Sequence, residues 1–422
     1  MMSVASLKPM TVEEQAISAK KAAKILSMLT TEEKNDALRI VANELEKEYG
    51  IILDANKKDL KKGREKGFDQ AYMDRLALTQ ERVSDFAEGL RQVAGLPDPT
   101  GDVLSDWTLE NGLKVQEVRV PLGVIGMIYE ARPNVTADAA GLALKSGNAI
   151  VLKGGSSALS SNKMIVEVMH RALEKTKIPK EAVQFIASTD RATTQKLFTM
   201  KEHIDVLIPR GGASLIKAVV ENATVPVLET GVGNCHIYFD KEAETEKALN
   251  IIINAKTDRP AVCNAAETLI VHKDWLSENK EILAETLKEY GITIHGDQEA
   301  AAVLLNVIPA NEEDWANEYL SLDLAVKTVN SLDEAIEHID QYGTKHSEAI
   351  ITENDDTAKR FMQLVDAAAV YHNASTRFTD GGALGFGAEI GISTQKLHAR
   401  GPMGLPALTT IKYMMSGNGQ IR

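Results

Sequence analysis

The sequence predicts an α/β protein with parallel, doubly wound sheets in more than one domain. A chain of 422 residues is too long for one ordinary core and favours two or three domains. From Pro121 onwards, short apolar segments alternate with helical patterns, and a second series of the same kind begins near Ala243. Such an alternation is typical of parallel sheets that are covered by helices on both faces.

The N-terminal segment, from residue 11 to about residue 91, has a helical pattern. It is rich in Lys, Glu and Ala, and its apolar residues recur at three- and four-residue spacing. Thr30 and Thr31 precede Glu32 and Glu33, which is a typical helix start. After a break that contains Pro97, the alternation of residues 113–120 predicts an exposed strand or hairpin.

Beyond Pro121 we assign strands to short apolar segments and helices to amphipathic ones. In the first series the strands are 124–129, 149–153, 183–187, 204–208 and 225–228, and the helices are 136–145, 161–175, 191–199 and 213–220. In the second series the helices are 243–255, 277–289, 332–339 and 356–364, and the strands are 268–271, 324–328, 349–352 and 368–371. The tail after Arg377 is rich in glycine and irregular.

Composition and charge narrow the classes of function. The formal net charge of −13 argues against general binding of nucleic acid or anionic membranes. No apolar stretch approaches the length of a membrane span, and the N-terminus lacks the apolar core of a signal peptide. Two cysteines cannot form a disulfide scaffold, so a reducing cytoplasm is expected, and their spacing makes a metal site unexpected.

The two cysteines are judged as thiols. Cys263 lies in a connection between a predicted helix and a predicted strand, where a thiol can be exposed and Arg259 would lower its pKa. Cys235 is followed by His236, but neighbours in a strand point to opposite faces, which favours a packing role. Burial as a small apolar side chain is the commonest role of a free cysteine, so position alone leaves both roles open for Cys263.

Two glycine-rich junctions connect predicted strands to predicted helices. The first contains Lys153, Gly154, Gly155, Ser156 and Ser157, and the second contains Gly211, Gly212 and Ser214. Backbone N–H groups and a helix N-terminus at such a junction can bind phosphate, although glycine pairs also serve simple turns. In the tail, Lys396, His398 and Arg400 suit an anionic ligand, with a solvated basic face as the competing interpretation.

Three stretches carry a resemblance to the aldehyde dehydrogenase superfamily. They are residues 129–136 (YEARPNVT), residues 259–268 (RPAVCNAAET) and the segment from residue 385 to residue 402, which begins GFGAE and ends GP. They occur in one order along a resemblance that runs from about residue 10 to the C-terminus. The chain is most similar to the branch of the superfamily that reduces L-glutamyl 5-phosphate.

The resemblance implies roles for individual residues. Cys263 matches the catalytic thiol, and Asn134 matches the asparagine that stabilises the oxyanion. Lys153 matches the lysine that contacts the adenosine ribose, and the second glycine junction matches the second cofactor loop. The lack of an acidic residue after Lys153 favours the 2′-phosphate of NADPH. We expect the substrate to be bound by Arg132, Arg259, Lys396, His398 and Arg400.

The implied fold is aldehyde-dehydrogenase-like, with two Rossmann-like α/β domains and a β-hairpin oligomerisation arm. Residues 1–104 and 121–240 would bind NADPH, and residues 241–375 would form the catalytic domain. Residues 105–120 and 376–422 would form the arm and a C-terminal active-site segment, and the arm would pair with a strand at 407–414. A homo-oligomer is therefore expected.

The implied activity is reduction of L-glutamyl 5-phosphate to L-glutamate 5-semialdehyde through a Cys263 thioester, the second step of proline biosynthesis from glutamate. NADPH would supply the hydride, and the labile acyl phosphate could be channelled from glutamate 5-kinase. Two alternatives remain. One is a hydrolytic aldehyde dehydrogenase in which Glu229 activates water, and the other is a non-catalytic scaffold protein, against which the retention of Cys263, Asn134 and Lys153 argues.

Overall fold

The computed structural model describes residues 10–130 and 132–422, and these divide into two compact units. The first unit contains the described residues up to Glu229, together with Phe386–Ile390 and Met403–Arg422. The second contains Thr230–Gly385 and Gly391–Pro402. The boundary thus lies after Glu229 and before the strand that begins at Cys235, whereas the family resemblance implies a boundary after residue 240. The C-terminal tail is shared between the two units.

The helices and strands alternate along most of the chain after residue 121. The helices are α1 (Val12–Leu26), α2 (Thr31–Lys47), α3 (Tyr49–Glu65), α4 (Gln70–Leu76), α5 (Gln80–Gly95), α6 (Asn134–Lys145), α7 (Leu159–Leu173), α8 (Arg191–Thr199), α9 (Ala213–Asn222), α10 (Thr245–Thr257), α11 (Lys273–Glu289), α12 (Gln298–Val303), α13 (Glu312–Ala316), α14 (Leu332–Tyr342) and α15 (Asp355–Leu364). The strands are β1 (Val103–Thr108), β2 (Lys114–Pro121), β3 (Val124–Tyr129), β4 (Ala149–Gly154), β5 (Val183–Phe185), β6 (Val206–Arg210), β7 (Cys235–Phe239), β8 (Ala266–His272), β9 (Thr293–Gly296), β10 (Ile308–Pro309), β11 (Asp323–Val329), β12 (Ser347–Ile351), β13 (Ala369–His372), β14 (Ile392–Ser393), β15 (Gly401–Pro402) and β16 (Thr409–Ser416).

The first unit is built on a parallel four-stranded sheet in the order β5-β4-β3-β6. Every residue of β3 and β4 is buried, which explains why both strands are continuous apolar runs. The N-terminal segment is helical, as the sequence predicts, and α2 begins at the predicted start. Thr11 and Thr30 each form a capping box, with Glu14 and Glu33 respectively.

An antiparallel three-stranded sheet in the order β1-β2-β16 forms the predicted arm. The C-terminal strand β16 pairs with β2 along its whole length, from Thr409 opposite Pro121 to Ser416 opposite Lys114. The predicted pairing of this hairpin with a C-terminal strand is therefore present. All of β1 is exposed, and so is all of β16 after Thr409.

The second unit is built on a parallel seven-stranded sheet in the order β10-β9-β11-β8-β7-β12-β13. Alternate residues of β7 serve two cores: Phe239 packs edge-on against Trp275 on one face, and Tyr238 stacks on Phe361 on the other. Helices therefore cover both faces of the sheet, as a doubly wound arrangement requires. In the described part of the chain, no helix is both long and apolar enough to cross a membrane.

Parts of the sequence-based assignment are wrong. Residues 225–228 do not form a strand; they make one isolated bridge, between Leu207 and Val227. Pro226 has no N–H to donate, which limits pairing there. The sequence predicts no elements between residues 290 and 322, whereas the structure contains four short ones, β9, α12, β10 and α13.

Candidate active site

Cys263 lies in the turn that connects α10 to β8, and its side chain is partly exposed. A fully buried ion pair joins the two ends of this turn, with the Lys256 ammonium 2.6 Å from the Glu267 carboxylate. Burial raises the pKa of Glu267, and the ammonium of Lys256 opposes that rise. The pair therefore joins the last turn of α10 to the start of β8 and anchors the turn between them.

The backbone of Cys263 is held from the loop before β7. The Sγ of buried Cys235 donates a hydrogen bond to the Cys263 carbonyl oxygen at 3.2 Å. Gly233 approaches the same carbonyl so closely that a Cβ there would lie 1.5 Å from the oxygen, so only glycine fits. Burial raises the pKa of Cys235 well above its usual value, which keeps this thiol a protonated donor. Cys235 thus supports the turn, in line with the packing role that its position indicates.

The segment after β13 holds the turn through Asn264. The side-chain amide of Asn264 donates to the Thr379 carbonyl at 3.0 Å, and the Thr376 hydroxyl donates to the Asn264 carbonyl at 2.8 Å. Arg377 contacts the Asn264 side chain and donates to the Asp258 carboxylate at 2.9 Å. Arg259, a predicted substrate ligand, is exposed in the same turn. No sequence motif indicates these supports, because their partners are far apart along the chain.

Asn134 is the first residue of α6 in the first unit. Its amide nitrogen donates one hydrogen bond to the Asp138 carboxylate, one turn later, at 3.1 Å. Burial raises the pKa of Asp138 to about 6, although the bond from Asn134 opposes that rise. An amide nitrogen carries two N–H groups, so one remains to serve an oxyanion. Arg132, two residues earlier, is exposed and lines a cavity together with Asn134.

The first glycine junction follows β4. The Nζ of Lys153 is largely buried, donates to the Gly154 carbonyl at 2.9 Å and has its pKa lowered by burial. Gly155 and the short 3₁₀ turn Ser156–Ala158 lead into α7. The Asp59 carboxylate accepts the N–H groups of Ser160 and Ser161 at 3.1 and 2.8 Å. A carboxylate therefore already occupies the N-terminus of α7, which favours contacts of a cofactor with Lys153 and the junction residues over a phosphate at the helix end.

The second glycine junction is the better phosphate site. Gly211, Gly212 and Ser214 are all exposed where β6 passes into α9, and no side chain of the N-cap residue closes the helix. The Glu130 carboxylate accepts the Gly212 N–H at 3.1 Å. An exposed helix N-terminus with glycine backbone suits the pyrophosphate of a dinucleotide, provided that the Glu130 carboxylate releases the Gly212 N–H when the cofactor binds.

The predicted basic cluster of the tail converges on one carboxylate in the second unit. Lys396 and Arg400 contact Asp366 at 2.9 and 2.8 Å, and Lys345 lies 3.6 Å from it. Hydrogen bonds from Lys396 and Arg400 lower the pKa of Asp366 to about 2. His398 is exposed and adopts a positive φ of 62°. The three cationic side chains thus share the single carboxylate of Asp366, and the net charge of the cluster stays positive.

The first unit has a parallel sheet with two glycine junctions, and the second presents a cysteine from a turn held by hydrogen bonds. These features are typical of an aldehyde dehydrogenase. The sequence profile of the aldehyde dehydrogenase family matches residues 1–323, and the chain belongs to this family. It is therefore an oxidoreductase, and the family's cofactor is NAD(P).

The particular relatives are γ-glutamyl phosphate reductases. The chain is 68% identical to γ-glutamyl phosphate reductase 2 of Bacillus licheniformis over 97% of each chain, and 57% identical to γ-glutamyl phosphate reductase of Bacillus cereus over 97% and 98%. The solved γ-glutamyl phosphate reductase of Thermotoga maritima superposes with a TM-score of 0.95 at 50% identity, covering 97% of this chain and 99% of that one. An acetylating aldehyde dehydrogenase of Geobacillus thermoglucosidasius shares the fold, with a TM-score of 0.69 at 21% identity over 97% and 96% of the two chains.

Proposed function

We propose that this enzyme reduces L-glutamyl 5-phosphate to L-glutamate 5-semialdehyde with NADPH, releases phosphate, and does so through a thioester on Cys263. The observation that carries the proposal is the 68% identity, over 97% of each chain, to a γ-glutamyl phosphate reductase. The partly exposed thiol of Cys263, in a turn braced by Cys235 and Gly233, supplies the matching nucleophile. This reaction is the second step of proline biosynthesis from glutamate.

The first chemical step is attack of the Cys263 thiolate on the acyl carbon of the substrate. The carbonyl oxygen becomes an oxyanion, which we assign to the remaining amide N–H of Asn134, and Asp138 fixes the orientation of that amide. The oxyanion collapses and the C–O bond to phosphate breaks, so phosphate leaves and a thioester remains. One difficult reduction is thereby divided into two easier steps.

The second step reduces the thioester. NADPH, when bound, supplies the hydride to the acyl carbon. The same N–H group of Asn134 stabilises the second oxyanion, whose collapse breaks the C–S bond, returns the thiolate of Cys263 and releases the aldehyde. We assign the cofactor to Lys153, Gly154, Gly155, Ser156 and Ser157 at the first junction and to Gly211, Gly212 and Ser214 at the second.

The choice of NADPH over NADH rests on the first junction. Lys153 is followed by small and hydroxyl residues, so no carboxylate from 154–157 would repel a 2′-phosphate. We expect Lys153→Met to lower the preference for NADPH by about tenfold or more, since a charge-assisted hydrogen bond contributes about 1.5–3 kcal/mol. Methionine fills most of the volume of this largely buried side chain. The ratio of kcat/KM for the two cofactors measures the effect, with Lys163→Met on exposed α7 surface as the control. An unchanged ratio would remove Lys153 from cofactor selection.

The phosphoryl group of the substrate is assigned to the basic cluster of the second unit. Lys396, His398 and Arg400 are its predicted members, and Asp366 neutralises only part of their charge. Arg259, exposed four positions before Cys263, is the remaining predicted anion ligand of this unit. Two cysteines cannot form a disulfide scaffold, which favours the cytoplasm, where a labile acyl phosphate could pass directly from glutamate 5-kinase.

We expect the chain to assemble as a dimer or a dimer of dimers. Strand β1 is exposed along its whole length, and large apolar residues of the arm, such as Trp107 and Tyr413, are exposed as well. Uncovered edge strands and apolar patches are normally covered by a partner. Light scattering at micromolar concentration should show an oligomer, and Tyr413→Asp should shift it towards the monomer, whereas Tyr290→Asp at the C-cap of α11 should not. A fully active wild-type monomer would contradict this assignment.

A further inference from the structure

A cavity of ≈ 430 Å³ lies within the first unit, at the N-terminus of α6. Asn134 and Asp138 form part of its wall, together with Arg132, and helices α4 and α5 contribute Arg75 and Asp85. The proposed oxyanion donor therefore opens onto this space. A part of the substrate that extends from the acyl carbon into this cavity would contact the charged residues of α4 and α5.

Some charges in the cavity wall are already satisfied by the fold. Arg82 donates to the Asp74 carboxylate at 3.0 Å and to the backbone carbonyls of Asp74 and Ala77 at 2.5 and 2.7 Å. Asp138 accepts the hydrogen bond from Asn134. These groups shape the cavity and the loop between α4 and α5, and they have little capacity left for a ligand.

Two charges of opposite sign remain available. Arg75 and Asp85 are both exposed, and in the described part of the chain neither takes part in an ion pair within 4 Å. The guanidinium of Arg75 lies 5.6 Å from the centre of the Tyr72 ring, which limits its freedom. A cation and an anion that face one cavity without pairing suit a ligand that carries both charges. An α-amino acid group is such a ligand.

We propose that this cavity binds the α-amino acid end of the substrate, with Arg75 and Arg132 on the α-carboxylate and Asp85 on the α-ammonium. The inference rests on the proposed function and adds to it a basis for selecting a glutamyl group over other acyl groups. Only two methylenes separate the acyl carbon of a glutamyl group from its α-carbon, so both ends can reach one cavity. Guanidinium groups bind carboxylates in paired hydrogen bonds, which makes them suited to this role.

A series of three aldehydes separates the two charges in the reverse reaction with NADP⁺ and phosphate. Glutamate 5-semialdehyde carries both charged groups, 5-oxopentanoate lacks the ammonium, and pentanal lacks both. Arg75→Met should lower kcat/KM about tenfold or more for the two carboxylates and leave pentanal unchanged, since a hydrogen bond to a charged group contributes about 1.5–3 kcal/mol. Asp85→Asn should lower kcat/KM for glutamate 5-semialdehyde alone.

Inhibition by L-glutamate and by glutarate gives the same comparison without turnover of the poorer aldehydes. Arg75→Met should raise both inhibition constants, and Asp85→Asn should raise that of L-glutamate only. Arg64→Met on α3 and Glu81→Gln on α5 are matched exposed controls outside the cavity and should change neither constant. Equal effects of Arg75→Met and Asp85→Asn on all three aldehydes, or no effect on any, would overturn the subsite. A wild-type enzyme inactive with glutamate 5-semialdehyde, NADP⁺ and phosphate would instead overturn the proposed function.

Discussion

Cys263→Ala is expected to abolish turnover and to leave the fold and NADPH binding intact. Loss of the nucleophile removes the only route to the thioester, and in enzymes with a covalent intermediate such a loss costs on the order of 10⁴-fold or more in kcat. The side chain is partly exposed and small, so alanine leaves no large cavity. Initial rates with glutamate 5-semialdehyde, NADP⁺ and phosphate measure the loss, and titration of cofactor fluorescence measures the binding that should survive.

Cys235→Ala is the matched control for this prediction. Its thiol is buried, and it donates one hydrogen bond, to the carbonyl of Cys263. A neutral hydrogen bond contributes about 0.5–1.5 kcal/mol, so the variant should keep most of its activity, with a loss of at most about tenfold. The two thiols therefore differ by several orders of magnitude in their expected effects. If Cys235→Ala were the inactive variant and Cys263→Ala the active one, the nucleophile would be misassigned.

The parts of the fold that could be predicted from sequence are those with a strong local pattern. Strands β3 and β4 are buried on both faces and are therefore unbroken apolar runs, and α2 begins at a capping box. Between residues 290 and 322 the elements are six residues or fewer, which is too short for a helical or alternating period to be visible. Pro226 interrupts a segment whose apolar residues otherwise indicate a strand.

The candidate site likewise contains residues that the sequence predicts and residues that it does not. Cys263 and Asn134 can be found from sequence because family motifs surround them. The supports of the Cys263 turn cannot, since each one joins distant segments: Gly233 lies against Cys263, and Thr379 accepts from Asn264. Asp59 was also missed as the group that occupies the N-terminus of α7, because a carboxylate on α3 gives no local sign of the helix that it will meet. A charged side chain from a distant segment can therefore occupy the binding groups of a motif, and the sequence of the motif does not show it.

The basic cluster also has a partner that the sequence does not reveal, and this bears on the phosphate requirement of the reaction. The sequence places Lys396 and Arg400 in an anion-binding tail, but the structure pairs both with Asp366. Their remaining charge is what we assign to phosphate, so Arg400→Ala should raise the concentration of phosphate needed for half-maximal rate. The role of the cluster thus depends on whether phosphate is a true co-substrate.

Turnover in the reverse direction is expected to depend on phosphate. The thioester on Cys263 must be discharged, and in a phosphate-linked reductase phosphate is the acceptor. Without it, NADPH formation from glutamate 5-semialdehyde should stop after a burst equal to the number of active sites, the kinetic sign of a covalent intermediate that cannot leave. Stopped-flow absorbance of NADPH measures the burst. Arsenate should restore continuous turnover, because an acyl arsenate hydrolyses after it leaves the enzyme.

If the enzyme were instead a hydrolytic aldehyde dehydrogenase, turnover would not depend on phosphate but would depend on Glu229. If Glu229, which is partly exposed at the end of the first unit, activated water against the thioester, turnover would continue without phosphate and yield free glutamate. That turnover would be lost in Glu229→Gln. In the phosphate-linked reductase, Glu229→Gln should leave the size of the burst unchanged, since no water is needed to form the thioester. Sustained phosphate-free turnover that disappears in Glu229→Gln would identify a hydrolytic aldehyde dehydrogenase, whereas a burst that halts in both enzymes identifies phosphate as the acceptor.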